Sequence, residues 1–298
     1  MSSLDWELIA QDKEHAAAVI AQSLNTGELA LFLGAGLSMS LGLPSWTGLL
    51  ERTFDLLPRY PRVDVSGLDA TGLGHQFEEV REFVGSKAAF NDVVRRSLYG
   101  DWRPHLGNWA NDLLISLGTL LVPGRRGHID TVLTLNFDNI LELYLRAYGF
   151  LAQSSSVFPV IRKNADVMVY HSHGFLPFGT ECVENETLVL DALSYDREMG
   201  QQNSSRRRMM ESVIHQKIVL GVGSSGSDPY SNAILAATPD TNPLREVVGY
   251  WLMVAKKEDP QVRRFYRRRI FPVLFGDHSE IPSFLLTVSE KAAARFNF

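Results

Sequence analysis

The sequence predicts an α/β protein: a doubly wound parallel sheet with a smaller, mostly helical lobe inserted after its first strand. Short continuous apolar runs such as Leu29–Leu33 recur between Gly, Pro or polar residues, as strands buried on both faces do. Segments with helical spacing separate several of them, and strand–helix alternation implies parallel order. Residues 45–128 differ, with helical spacing, several Gly and Pro breaks and little that reads as a strand.

In chain order, residues 4–25 read as one helix, with Leu8, Ile9, Ala16, Val19, Ile20 and Leu24 mostly on one face. A strand follows at 29–33 and stops at a glycine turn, with a second turn at Gly42-Leu43-Pro44. After the insert come a strand at 131–134, an amphipathic helix near 139–148, and strands at 167–170, 187–190, 218–220, 250–254 and 271–274. The expectation is one domain over 1–298, with its core in 26–44 and 129–298 and the helical insert at 45–128. Such sheets bind ligands beyond the carboxyl ends of their strands.

A chain of 298 residues buries a substantial core without disulfides. Its only cysteine, Cys182, excludes an intrachain disulfide or a Cys-rich zinc site and suits a reducing cytoplasm. No signal-like pattern opens the sequence and no apolar run reaches a membrane span. A net charge of −5 gives no reason to expect nucleic acid. Two arginine clusters, 206–208 and 263–269, read as solvated helix faces, with a phosphate or partner contact as the alternative.

Four motifs fall at strand ends. Gly34-Ala35-Gly36-Leu37-Ser38 suits close approach to a pyrophosphate, though a glycine turn is also ordinary punctuation. In Thr134-Leu135-Asn136-Phe137-Asp138, capping of the next helix explains Asp138 better than it explains Asn136. His171-Ser172-His173-Gly174 closes another strand, and His171 reads as a structural, hydrogen-bonded residue. The loop from Gly221 to Pro229 offers amides and hydroxyls from Ser224 and Ser225, or else caps a helix through Ser227 or Asp228.

In this order the motifs resemble the sirtuin-like family, closest to its divergent branch in bacterial anti-phage defence proteins. The resemblance implies a Rossmann-like core that binds NAD as substrate. Gly34, Ala35, Gly36, Ser38 and Pro44 would then line the pyrophosphate, and Gly221, Ser224, Ser225 and Asp228 the adenosine side. It implies His173 as the base, Asn136 orienting water and ribose, and Asp138 holding the nicotinamide-ribose side or supporting Asn136. Leu188-Val189-Leu190 leading to Tyr195 is similar to an element of the divergent branch. The cysteines that bind zinc in deacetylating sirtuins are missing, so no zinc is expected.

The implied reaction is hydrolysis of the nicotinamide–ribose bond, giving nicotinamide and ADP-ribose. Unrestrained, it would harm the host, so a partner protein or homo-oligomer would gate it, unless the chain is a fragment. The rivals are a non-catalytic sensor of NAD or ADP-ribose and a zinc-free protein deacylase; a nicotinamide oxidoreductase leaves Asn136 and His173 unexplained.

Overall fold

The computed structural model describes residues 6–124, 127–179, 186–241 and 244–294. Leu29–Leu33 (β1) is buried at every position, so both its faces need cover. The remaining strands are Thr131–Thr134 (β2), Ala152–Ser155 (β3), Val167–His171 (β4), Ile218–Val222 (β5), Gly249–Val254 (β6) and Ile270–Phe275 (β7). They form one 7-stranded sheet in the order β3-β4-β2-β1-β5-β6-β7, parallel throughout.

The helices are α1 (Trp6–Gln11), α2 (Lys13–Asn25), α3 (Gly36–Met39), α4 (Trp46–Asp55), α5 (Ala70–Val84), α6 (Lys87–Tyr99), α7 (Asp112–Leu121), α8 (Ile140–Ala147), α9 (Ala192–Tyr195), α10 (Ser205–Gln216), α11 (Pro229–Thr241), α12 (Pro260–Arg267) and α13 (Glu280–Ala294). Period-two alternation sorts the strand side chains between two layers. Leu29, Leu31, Leu33, Val132, Leu220 and Leu252 pack with α2, α7, α8 and α13. Ala30, Phe32, Val219 and Trp251 face α10, α11 and α12 through Met209, Met210, Ile234 and Phe265.

Short polar side chains start the helices between β1 and β2. Ser45, Asp69 and Ser86 accept from Gly48, Gly72 and Ala89 N–H, and Asn111 accepts from Leu113 and Leu114. Phe54, Leu73, Phe77, Phe90 and Val94 form the buried interior of α4–α6, while α7 packs on α13.

The structure corrects four expectations. The helix over 4–25 is broken at Asp12, whose extended backbone and bond from His15 N–H start α2 afresh. Leu188, Val189 and Leu190 are buried, but residues 187–190 pair with no strand: Leu188 O accepts from Arg81 and Thr187 O from Arg206, side chains in place of a ladder. Polar Ala152–Ser155 is an edge strand that no apolar run announces. Arg206 is 3% exposed, not on a solvated face. Cys182 lies outside the described residues. Among those described, no helix is long and apolar enough to cross a membrane.

A Cβ on Gly221 would lie 2.3 Å from the buried Trp251 ring. Gly221→Ala is therefore expected to cost about 1–3 kcal/mol by overpacking, read as a lower denaturant midpoint.

Candidate active site at the carboxyl edge of the sheet

Because β4, β2, β1 and β5 are neighbours, the segments that follow them gather at one edge. At its centre the turn after β1 lies directly on the loop after β5. Gly34 N–H donates to Val222 O (3.1 Å) and Gly36 N–H to Gly223 O (2.8 Å). A Cβ on Gly34 would sit 2.6 Å from Gly223 O, and one on Gly36 would sit 2.8 Å from Gly223 Cα. Gly223 itself has φ +65°, a left-handed conformation that favours glycine. These glycines are accounted for by loop-on-loop packing.

Asn136 and Ser38 occupy the β2–β1 side. The Asn136 amide donates from Nδ2 to Gly34 O (3.0 Å) and to Ser38 Oγ (3.0 Å). A carbonyl only accepts, so this network assigns the amide orientation and turns Oδ1 the other way. Oδ1 makes no hydrogen bond among the described residues. Ser38 Oγ donates to Asp138 Oδ2 (2.6 Å), and Asp138 Oδ1 accepts from Ile140 N–H (3.1 Å). Both oxygens of buried Asp138 are thus engaged, one of them by the first N–H of α8, whose N-cap is the next residue, Asn139. Burial lifts its carboxyl above the ordinary value against the pull of the Ser38 and Ile140 bonds.

His173 follows β4. Ser172 Oγ donates to Thr134 O (3.0 Å), so toward His173 Nδ1 (3.1 Å) it accepts, which makes Nδ1 the N–H nitrogen. Here Nε2 donates to the Asp228 carboxylate Oδ2 (3.0 Å), which can only accept, and also meets Tyr195 OH (2.9 Å). With the Asp228 contact parted, Nε2 offers the lone pair that a general base needs. Asp228 belongs to the loop after β5, so this pair spans the edge over β2 and β1. Asp228 Oδ1 accepts from Ser231 N–H (2.7 Å) and Ser231 Oγ (2.6 Å). Burial pushes the Asp228 carboxyl up, but His173 and the Ser231 donors hold it below its ordinary value.

Of the residues singled out in the sequence, the edge brings together Gly34, Gly36, Ser38, Asn136 and Asp138 in one group and His173 with Asp228 in another. Ala35 and Ser225 are exposed, Pro44 is half-buried beside α4, and Gly221 lies within β5. Ser224 and Ser225 shape their own loop: Gly226 N–H donates to Ser224 Oγ (3.2 Å) and Ser225 Oγ bonds Ser227 Oγ (2.7 Å). Sequence reasoning missed Ser172, Glu142 and Arg206. Two of these carried a signal, since Glu142 and Arg206 sit on otherwise apolar helix stripes. Among the described residues, no group of His, Cys, Asp and Glu could hold a metal ion.

The fold and the gathering of loops at this edge define a doubly wound α/β protein. More particularly, residues 130–271 match the family model of the SIR2-like domain. The match contains Asn136, His173 and Asp228 and excludes the glycine turn. NAD(+) hydrolase ThsA of Enterococcus faecium is 24% identical over 228 residues, covering 76% of this chain and 43% of that protein. ThsA of Cytobacillus dafuensis is 25% identical over 233 residues, covering 76% of this chain and 41% of its own length. The chain therefore matches less than half the length of these relatives.

The stability that Asp228 contributes is present above its ordinary titration at 3.8 and lost as pH falls through its lowered folded value. The gap in melting temperature between wild type and Asp228→Asn is expected to be widest near neutrality and to close in acid.

Proposed function

We propose that the chain cleaves NAD at the nicotinamide–ribose bond, with water as acceptor. The observation that carries this reading is the pairing of a histidine whose Nδ1–H is held by Ser172, which leaves Nε2 for proton transfer, with an asparagine whose Oδ1 is unused. The C1′–N bond breaks with its electron pair neutralising the pyridinium, so nicotinamide leaves without a proton. A water oxygen, oriented by Asn136, bonds C1′, and its proton passes to His173 Nε2. Gly34, Ala35, Gly36 and Pro44 border the pyrophosphate, Ser224 and Ser225 the adenosine side, and Ser38 and Asp138 hold Asn136. The names of the two ThsA relatives support NAD as the substrate.

Asp228 and Tyr195 sit on the nitrogen that the reaction needs, so we assign a gated activity, released by a partner protein or a homo-oligomer. The setting we propose is NAD depletion in cytoplasmic anti-phage defence. The same contacts favour one alternative, a module that binds NAD or ADP-ribose without turnover.

Incubation with NAD and quantification of nicotinamide and ADP-ribose tests this. His173→Ala and Asn136→Ala are each expected to lose on the order of 10²–10⁴-fold in rate. Binding of NAD without cleavage would favour the sensor or an enzyme awaiting its partner, and no binding would sink both readings.

A further inference from the structure

His171, two residues before the proposed base, is completely buried and takes no part in the steps above. Its ring lies between two acceptors: Nδ1 is 2.9 Å from the main-chain O of Asn136 and Nε2 is 2.8 Å from Glu142 Oε1. A peptide carbonyl cannot donate, so Nδ1 carries hydrogen whatever the state of Glu142. Glu142 is also buried, and Ser154 Oγ donates to the same oxygen (2.7 Å). Asp138 lies close enough to act on the charge of His171, and the Phe175 ring packs at 4.3 Å. Burial disfavours a charged ring, yet Glu142 and the Asn136 carbonyl hold the imidazole above its ordinary titration.

The grip falls on one peptide. Asn136 N–H donates to Thr134 Oγ1 (3.0 Å) and its carbonyl accepts from His171. Side chains therefore hold the main chain of Asn136 on both sides, and Gly34 and Ser38 hold its amide. We propose that the buried His171–Glu142 pair is a positioning device for Asn136, fixing its peptide so that Oδ1 points to the ligand. This rests on the reading of Asn136 given above. An unpositioned Asn136 would still fold into the turn but would present its oxygen at a variable angle, which slows the chemical step more than it weakens binding.

The two ring nitrogens can be tested separately, because an asparagine amide overlays Nδ1 and a glutamine amide overlays Nε2. His171→Asn keeps the donor to Asn136, whereas His171→Gln keeps the bond to Glu142 and leaves the carbonyl unbound. Both are made in the full chain with and without Glu142→Gln, so that neither is judged on a lone buried charge, and folding is checked by thermal melts. The readout independent of turnover is the Asn136 carbonyl-carbon NMR resonance, together with the imidazole nitrogens of wild-type His171.

Expected are a hydrogen on Nδ1 of wild type, an Asn136 resonance moved in the Gln variants, and near recovery of its position in the Asn variants. Nicotinamide release is expected to fall on the order of 10²-fold in kcat, with KM little changed, in the Gln variants alone. Equal behaviour of the Asn and Gln variants, or an Nδ1 without hydrogen, would overturn the proposal. If wild type cleaves no NAD, the carbonyl resonance alone decides this proposal.

Discussion

Backbone lying directly against backbone, between the turn after β1 and the loop after β5, is the constraint on which the rest of the edge depends. With Gly36 N–H bound to Gly223 O at 2.8 Å, α3 has only one place to begin. That sets Ser38, Ser38 sets the Asn136 amide, and the same contact carries the β5 loop toward His173. The glycine turn does the work of a hinge pin here, whatever it also offers to a phosphate.

From that point a hydrogen-bonded chain crosses the protein. It runs from Asp138 through Ser38 and Asn136 to His171, Glu142 and Ser154, joining α3, the turn after β2, β4, α8 and β3. Most of its members are buried, where an unmet polar group is costly and a met one is held firmly. Such a chain gives one well-defined geometry in place of several, which is what a site needs before any ligand arrives.

The sheet was legible because parallel strands buried on both faces leave continuous apolar runs; six of its strands announced themselves that way. Ala152–Ser155 did not, since an edge strand needs no apolar face, and residues 187–190 misled because burial and β-forming side chains do not guarantee a neighbour to pair with. In the site, Asn136 and His173 were readable as polar residues ending buried strands. Asp138 bonds the first N–H of α8, but the N-cap itself is Asn139, one residue later than the spacing suggested. The attachment of Asp228 to His173 was not readable, because it joins residues far apart in sequence across two intervening strands. Arg206 was readable in principle: it shares a helical stripe with Met209, Met210 and Val213, all buried.

The segment after residue 185 behaves as a tendon. Arg81 from α5 holds Leu188 O, Lys87 and Asn91 from α6 hold Thr187 Oγ1 and Glu186 O, and Val189 N–H is tied to His173 O at 2.8 Å. Arg206 braces the same stretch from the opposite side through Thr187 O and also grips Ser172 O. A load applied to the helical lobe thus arrives at the main chain of His173, and through Tyr195 on the same segment it also reaches the ring. Ser172 rides on the same strand end, so the lobe can shift where the imidazole stands while Nδ1 keeps its partner.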